Sequence, residues 1–137
     1  MIGGGAYNNC SGLTIVILGE GLEEIGTGAF GACSSLHEIL IPQSVKVIKD
    51  RAFSQCSQLN IVTLDEGLEE IGQAAFRQCT SLHEILIPHA VKVIKNGAFR
   101  RCTQLTTVIL NEGLEEIGEQ AFEDCSSLHE ILVSSTV

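Results

Sequence analysis

Tryptophan is absent, methionine occurs once, proline twice, and the rings number five Phe and one Tyr. A core with so few aromatics has to be assembled from Leu, Ile, Val, Ala and Cys. Cations are scarce too. Lys and Arg total 8 against 17 Asp and Glu, a formal net charge of −9 with a pI near 4.8. Nucleic-acid binding draws on a basic surface that releases counterions from phosphate, so nucleic acid is not expected as a partner. No apolar run approaches the roughly 18 residues of a membrane span, and no membrane insertion is expected. The opening Met1-Ile2-Gly3-Gly4-Gly5 has neither the basic nor the apolar region of a signal peptide. Apolar residues nevertheless make up 45% and mean hydropathy is +0.27, which excludes a disordered chain.

What the chain does have is a period. Cys10, Cys33, Cys56, Cys79, Cys102 and Cys125 stand 23 residues apart, as do Phe30, Phe53, Phe76, Phe99 and Phe122, with Tyr7 one period earlier. Leu follows each Cys by three residues, Val or Ile by six, and an aliphatic residue by eight. A second period lies on top: residues 33–78 and 79–124 agree at 30 of 46 positions. Odd units carry Glu-Gly-Leu-Glu-Glu-Ile-Gly, starting at Glu20, Glu66 and Glu112. Even units carry Ile-Pro-x-x-Val-Lys-Val-Ile-Lys, starting at Ile41 and Ile87. Duplication of a two-unit block accounts for this. Six units less one residue fill 1–137, with no distinct linker, so a single repeat domain is expected, either whole or part of a longer array.

Apolar residues two apart after each Cys have strand periodicity. They predict a strand of four to five residues in every unit, Ile15-Val16-Ile17-Leu18 being the first. Pro42 and Pro88 follow it in even units, where a missing N–H ends or edges a ladder. Leu-Glu-Glu-Ile-Gly reads as a second short extended or turn segment closed by Gly26, Gly72 or Gly118. The x-Ala-Phe-x-x-Cys stretch predicts one or two helical turns, since Ala29 and Cys33 are four apart. One such unit cannot bury its own apolar side. Stacked units can, with strands about 4.8 Å apart in a parallel sheet.

The pattern Cys-x-x-Leu-x-x-Ile-x-Ile-Pro-x-x-Val-x-x-Ile-x-x-x-Ala-Phe-x-x-Cys resembles the 23-residue leucine-rich repeat of BspA-like surface proteins, the Treponema type. The resemblance implies an α/β fold: a curved, right-handed solenoid (a horseshoe) with its parallel sheet on the concave side and short helical turns on the convex side. It also implies protein binding of an adhesion type, a cell-surface or secreted location, and no catalytic residues. The odd units depart from the pattern by lacking the Pro.

The residues themselves give little catalytic signal. Almost every Ser, His and Glu is a copy of another at 23 or 46, whereas a catalytic set is assembled once. No enzyme activity, cofactor or metal is expected. There is no Cys-x-x-Cys pair for zinc, and His37, His83 and His129 fall about 10 Å apart, too far to share an ion. The cysteines read as a reduced core ladder, with disulfides between neighbouring units as the alternative. Glu23, Lys46, Glu69, Lys92 and Glu115 occupy one repeat position and predict a ladder of alternating charge that fixes register. Arg51, Arg77, Arg100 and Arg101 cluster near the expected helical turns, as a small basic patch or as solvated surface.

The binding signal lies on the outward face of the expected sheet. Five and seven residues after each Cys stand Ile15 and Ile17, Glu38 and Leu40, Ile61 and Thr63, Glu84 and Leu86, Thr107 and Ile109, and Glu130 and Leu132. Five of the six residues at the second position are apolar, where a solvated face alternates to polar. A contiguous exposed apolar stripe marks a partner surface, the rival being drift within strands of high β-propensity. The expected partner is a protein of unspecified identity. The chain also opens at Ile2 and closes at Val137, both core positions with no polar cap, so a homo-oligomer stacked through the solenoid ends is expected. The alternatives are a fragment of a longer array, or fold-back of Gly3-Gly4-Gly5 and Ser134-Ser135-Thr136 as caps.

Overall fold

The apolar alternation after each cysteine becomes a row of parallel strands: β2 (Glu38–Ile41), β4 (Ile61–Leu64), β6 (Glu84–Leu86), β8 (Thr107–Asn111) and β10 (Glu130–Ser134). Between them come five two-residue strands, β1 (Glu24–Ile25), β3 (Val47–Ile48), β5 (Glu70–Ile71), β7 (Val93–Ile94) and β9 (Glu116–Ile117). The computed structural model describes residues 1–134. The expected core position at Val137 and the Ser135-Thr136 part of the cap alternative lie outside the described residues. Every pairing joins residues 23 apart, in parallel. The short strands form one continuous sheet in the order β1-β3-β5-β7-β9, extended by a bridge from Ile2 to Ile25.

Between the sheets, identical positions form columns. Ile25, Ile48, Ile71 and Ile94 are fully buried, as are Leu36, Leu59, Leu82 and Leu105. The rings stack from Tyr7 to Phe122 with centroids 5.3 Å apart and planes within 11° of parallel. Hydrogen-bonded strands stand about 4.8 Å apart.

The long-strand sheet is not continuous. It falls into a pair, β2-β4, and a triplet, β10-β8-β6. The expected first strand at Ile15–Leu18 does not form. Proline accounts for the breaks. Where an even unit meets the following odd one, the backbone N–H nine residues after Cys reaches back to the preceding unit, Asp65 N–H to the Ile41 carbonyl at 3.1 Å. At the next joint that position is Pro88, and at the first joint Pro42, neither of which has an N–H to give. In the last unit Ser134 stands there instead, and β8 and β10 pair over five residues, ending at Ser134 beside Asn111. Each proline thus opens the side of its strand that faces the preceding unit.

The helical turns expected after each short strand are also absent. Among the described residues the chain forms no helix, so the fold is all-β rather than α/β. The Ala-Phe-x-x-Cys segment is a ribbon of turns whose alternate N–H groups leave the unit. Those of Gly28, Phe30 and Ala32 donate to the carbonyls of Asp50, Ala52 and Ser54 at 2.7–2.9 Å. Those N–H groups are no longer available for i→i−4 bonds. The ribbon requires positive φ twice per unit, at Arg51 (57°) and Gln55 (63°) for example, without glycine at either position.

The alternating charge ladder does not form: no ion pair joins Glu23, Lys46, Glu69, Lys92 and Glu115 among the described residues. The lysine pairs that form instead are Lys49–Glu24 and Lys95–Glu70, each at 2.9 Å. Val47 lies beside Glu24, so Lys49, two residues on, shares the glutamate's side of the short-strand sheet. These half-exposed contacts contribute little on their own.

The glycines closing the odd units answer to the neighbouring backbone. A Cβ at Gly72 would stand 2.6 Å from the Lys49 carbonyl carbon and 2.7 Å from the Asp50 nitrogen. We expect Gly72→Ala to cost about 1–3 kcal/mol by forcing two units apart. Gly12→Ala, with nothing within 4 Å of the added carbon, should stay within about 0.5 kcal/mol of the parent. Urea unfolding compares the two, and a Gly72→Ala protein as stable as the parent would show that unit spacing yields freely.

Candidate binding face

Strand alternation decides which side chains reach solvent. In β2 and β4 the pattern is exposed, buried, exposed, buried, so Glu38, Leu40, Ile61 and Thr63 face outward while Ile39, Ile41, Val62 and Leu64 fill the core. In β6, Glu84 and Leu86 are exposed in the same way. Thr107 and Ile109 of β8 are half-buried, and Glu130 and Leu132 of β10 are exposed. Register brings these residues together in two groups. Glu38 lies beside Ile61 and Leu40 beside Thr63. Glu84, Thr107 and Glu130 form one cross-strand row, and Leu86, Ile109 and Leu132 the next.

Ile15 and Ile17 were expected on this sheet and are not part of it. Their segment lies apart from β2, leaving both side chains exposed, Ile17 at 91%. The gap is a cleft of about 430 Å³ lined by Ile15 to Leu18 on one wall and by Glu38, Leu40, Ile61 and Thr63 on the other. A smaller cleft, about 290 Å³, marks the second proline joint, between β4 and β6.

The other candidate chemistry resolves structurally. All six cysteines are free, and five are buried. Each of those five thiols donates to the carbonyl of the preceding unit's ring residue, as Cys56 Sγ does to Phe30 O at 3.1 Å and Cys102 Sγ to Phe76 O at 3.1 Å. Sequence reasoning took the column as apolar and missed this donor. Burial pushes the Cys56 thiol up to about 12, with Cys33 nearby adding to the rise. Such thiols are poor nucleophiles. Arg100 and Arg101 pair with Glu123 and Asp124 at 2.7 and 3.5 Å, so half of the expected basic patch is neutralised by the next unit. Asn111 precedes the Glu-Gly-Leu run of the fifth unit. It is buried, and its side-chain amide donates to Pro88 O and Val91 O at 2.6 and 3.2 Å, tying two units together. Its only sequence signal is that Gly19 and Asp65 hold the same place in the other odd units.

Parallel strands recurring every 23 residues, with columns of Leu, Ile, Phe and Cys between them, define a leucine-rich-repeat solenoid. The family model described as "BspA type Leucine rich repeat region (6 copies)" matches residues 1–103, and the chain belongs to that family. It is similar to a leucine-rich cell surface protein from Faecalibacterium prausnitzii, at 32% identity with a TM-score of 0.82, covering 85% of this chain and 31% of that one. A leucine-rich repeat protein of T. pallidum is 36% identical with a TM-score of 0.80, over 87% of this chain and 56% of that one. One from Bacteroides ovatus is 28% identical with a TM-score of 0.71, over 88% and 37%. The chain thus spans between 31% and 56% of the length of these relatives. No curated protein matches it.

Proposed function

We propose that the chain is a non-enzymatic protein-binding module that receives its partner on the inner, long-strand face, in an adhesion-type role at or outside the cell surface. The observation that carries this reading is the exposure of Leu40, Leu86 and Leu132, at 58%, 53% and 46%, on paired strands where a solvated sheet would present polar side chains. Membership of the BspA-type family supports it, as does the description of the Faecalibacterium relative as a cell surface protein. The test is surface plasmon resonance against a panel of purified extracellular-matrix and cell-surface proteins, using the parent and Leu40→Glu/Leu86→Glu. Binding to a panel member, lost in the double variant with an unchanged circular dichroism spectrum, is the expected result. Binding that survives both substitutions would place the interface elsewhere.

A second reading is self-association. Ile131 and Val133 occupy positions that point inward in every other long strand, yet are 55% and 63% exposed. In this reading the next unit of the stack covers them, and for the 137-residue chain on its own that unit belongs to a second copy, through an end-to-end contact. Sedimentation of the 137-residue chain decides it: a mass that rises with concentration is expected, and a monomer throughout would refute it.

A further inference from the structure

None of the eight Lys and Arg residues occupies a position in β2, β4, β6, β8 or β10. Four of them are ion-paired on other sides of the solenoid, Lys49, Lys95, Arg100 and Arg101. Glu38, Glu84 and Glu130 open β2, β6 and β10, are exposed, and have no ionic partner among the described residues. Two residues along the same strands, on the same side, stand Leu40, Leu86 and Leu132. The face therefore presents two rows running across the strands, one of carboxylates and one of leucines. The carboxylates recur every second unit, with Thr107 of β8 between Glu84 and Glu130. Two strand spacings set them about 9.6 Å apart in that block.

We infer that the partner is an extended cationic segment of a protein, lying along these rows with a basic side chain at every third residue. The inference rests on the binding-face reading above and adds the chemistry of the occupant. A polyproline-II segment rises about 3.1 Å per residue with three residues per turn, which places every third side chain on one edge about 9.3 Å apart, close to the carboxylate spacing. A flat β-strand would alternate those side chains between opposite sides. The carboxylate row fixes register and speeds association, and the leucine row supplies the apolar contact on the neighbouring edge.

The probe is a fluorescein-labelled peptide of about twelve residues repeating Lys-Pro-Val, measured by fluorescence anisotropy with the full chain at low salt and pH 8. Two controls accompany it: the Glu-Pro-Val counterpart, and a peptide of the first composition with its lysines clustered. We expect the Lys-Pro-Val peptide to bind, the Glu-Pro-Val peptide not to bind, and the clustered peptide to bind about tenfold more weakly. Glu38→Gln/Glu84→Gln/Glu130→Gln should weaken the first peptide about tenfold and flatten its salt dependence, with circular dichroism unchanged. Equal binding of the clustered peptide would reduce the effect to general attraction by a chain of net charge −9 and overturn the inference. So would binding of the Glu-Pro-Val peptide, or an unaltered affinity in the triple variant. If no peptide binds while a panel protein is lost on Leu40→Glu/Leu86→Glu, the inference fails and the binding face stands.

Discussion

Phe76→Ala is expected to remove about 3–5 kcal/mol of stability. The ring is fully buried and stacked on Phe53 and Phe99, both at 5.3 Å with planes 4° and 5° from parallel. Truncation loses contacts on two sides, and units held at fixed spacing by flanking hydrogen bonds cannot collapse into the space. The same units carry the bonds from Phe76 N–H to Ala98 O and from the Cys102 thiol to Phe76 O. Phe122→Ala should cost about half as much, because that ring is half-buried and stacks on Phe99 alone within the ring column. A solenoid's stability is a sum over units and their interfaces, so a cavity in the middle weakens the coupling of its two halves. Urea unfolding should show a lower midpoint for Phe76→Ala together with a shallower slope as the halves begin to melt separately. Equal losses in the two variants would mean that the ring column has no role beyond local burial.

Much of this architecture is legible in the amino acids because a repeat states each instruction several times. The 23-residue spacing of Cys, Leu and Phe gives the columns, and apolar residues two apart after each Cys give the strands that the structure shows in units two to six. The outward positions follow from the same alternation, which is why Glu38, Leu40, Glu84 and Leu86 are identifiable from the amino acids alone. What escaped depends on neighbours rather than on the unit. Ala29 and Cys33 have helical spacing, but the N–H groups of Phe30 and Ala32 between them bond to the next unit. Arg51 takes a positive φ that glycine announces only in other units, at Gly5, Gly28 and Gly97, and Gln55 takes one at a position where no unit has glycine.

Proline shows the same limit from the other side. Pro42 and Pro88 are visible as ladder breakers, but which strand they detach depends on the direction in which backbone donors point between units. That direction separates β4 from β6 and leaves Ile15 and Ile17 off the sheet. The ion pairs failed for a related reason. Stacking places identical positions side by side, yet the partners of Glu24 and Glu70 lie two residues further along, where the strand face repeats.

The buried thiols predict a steep loss of stability in alkali. Cys56 is raised from 9.0 to about 12, chiefly by burial and then by the neighbouring Cys33. Burial likewise pushes Cys79 and Cys102 well up. Below pH 9 these thiols keep their protons whether the chain is folded or not. Above it, the unfolded chain releases them while the folded chain holds them until about pH 12, so the unfolded state binds fewer protons and stability falls as pH rises through that window. Each such thiol withdraws about 1.4 kcal/mol per pH unit, and three together about 4. Against a typical stability of 5–15 kcal/mol, this should unfold the chain within a few pH units of the onset. Deprotonation also turns the thiol that donates to Phe30 O into an acceptor facing an acceptor. In reducing buffer, the urea midpoint should be flat from pH 7 to 8.5, fall steeply above 9 and recover on return to 7. Cys56→Ala, although less stable at pH 7 because Phe30 O loses its donor, should show a slope reduced by about a third. Cys56→Ser keeps a donor for that carbonyl, so it should lose less at pH 7 than an unpaired buried hydroxyl would cost. A midpoint unchanged between pH 8 and 10.5 would mean that the column does not hold its protons, and with that the assignment of the cysteines to a sealed core would fall.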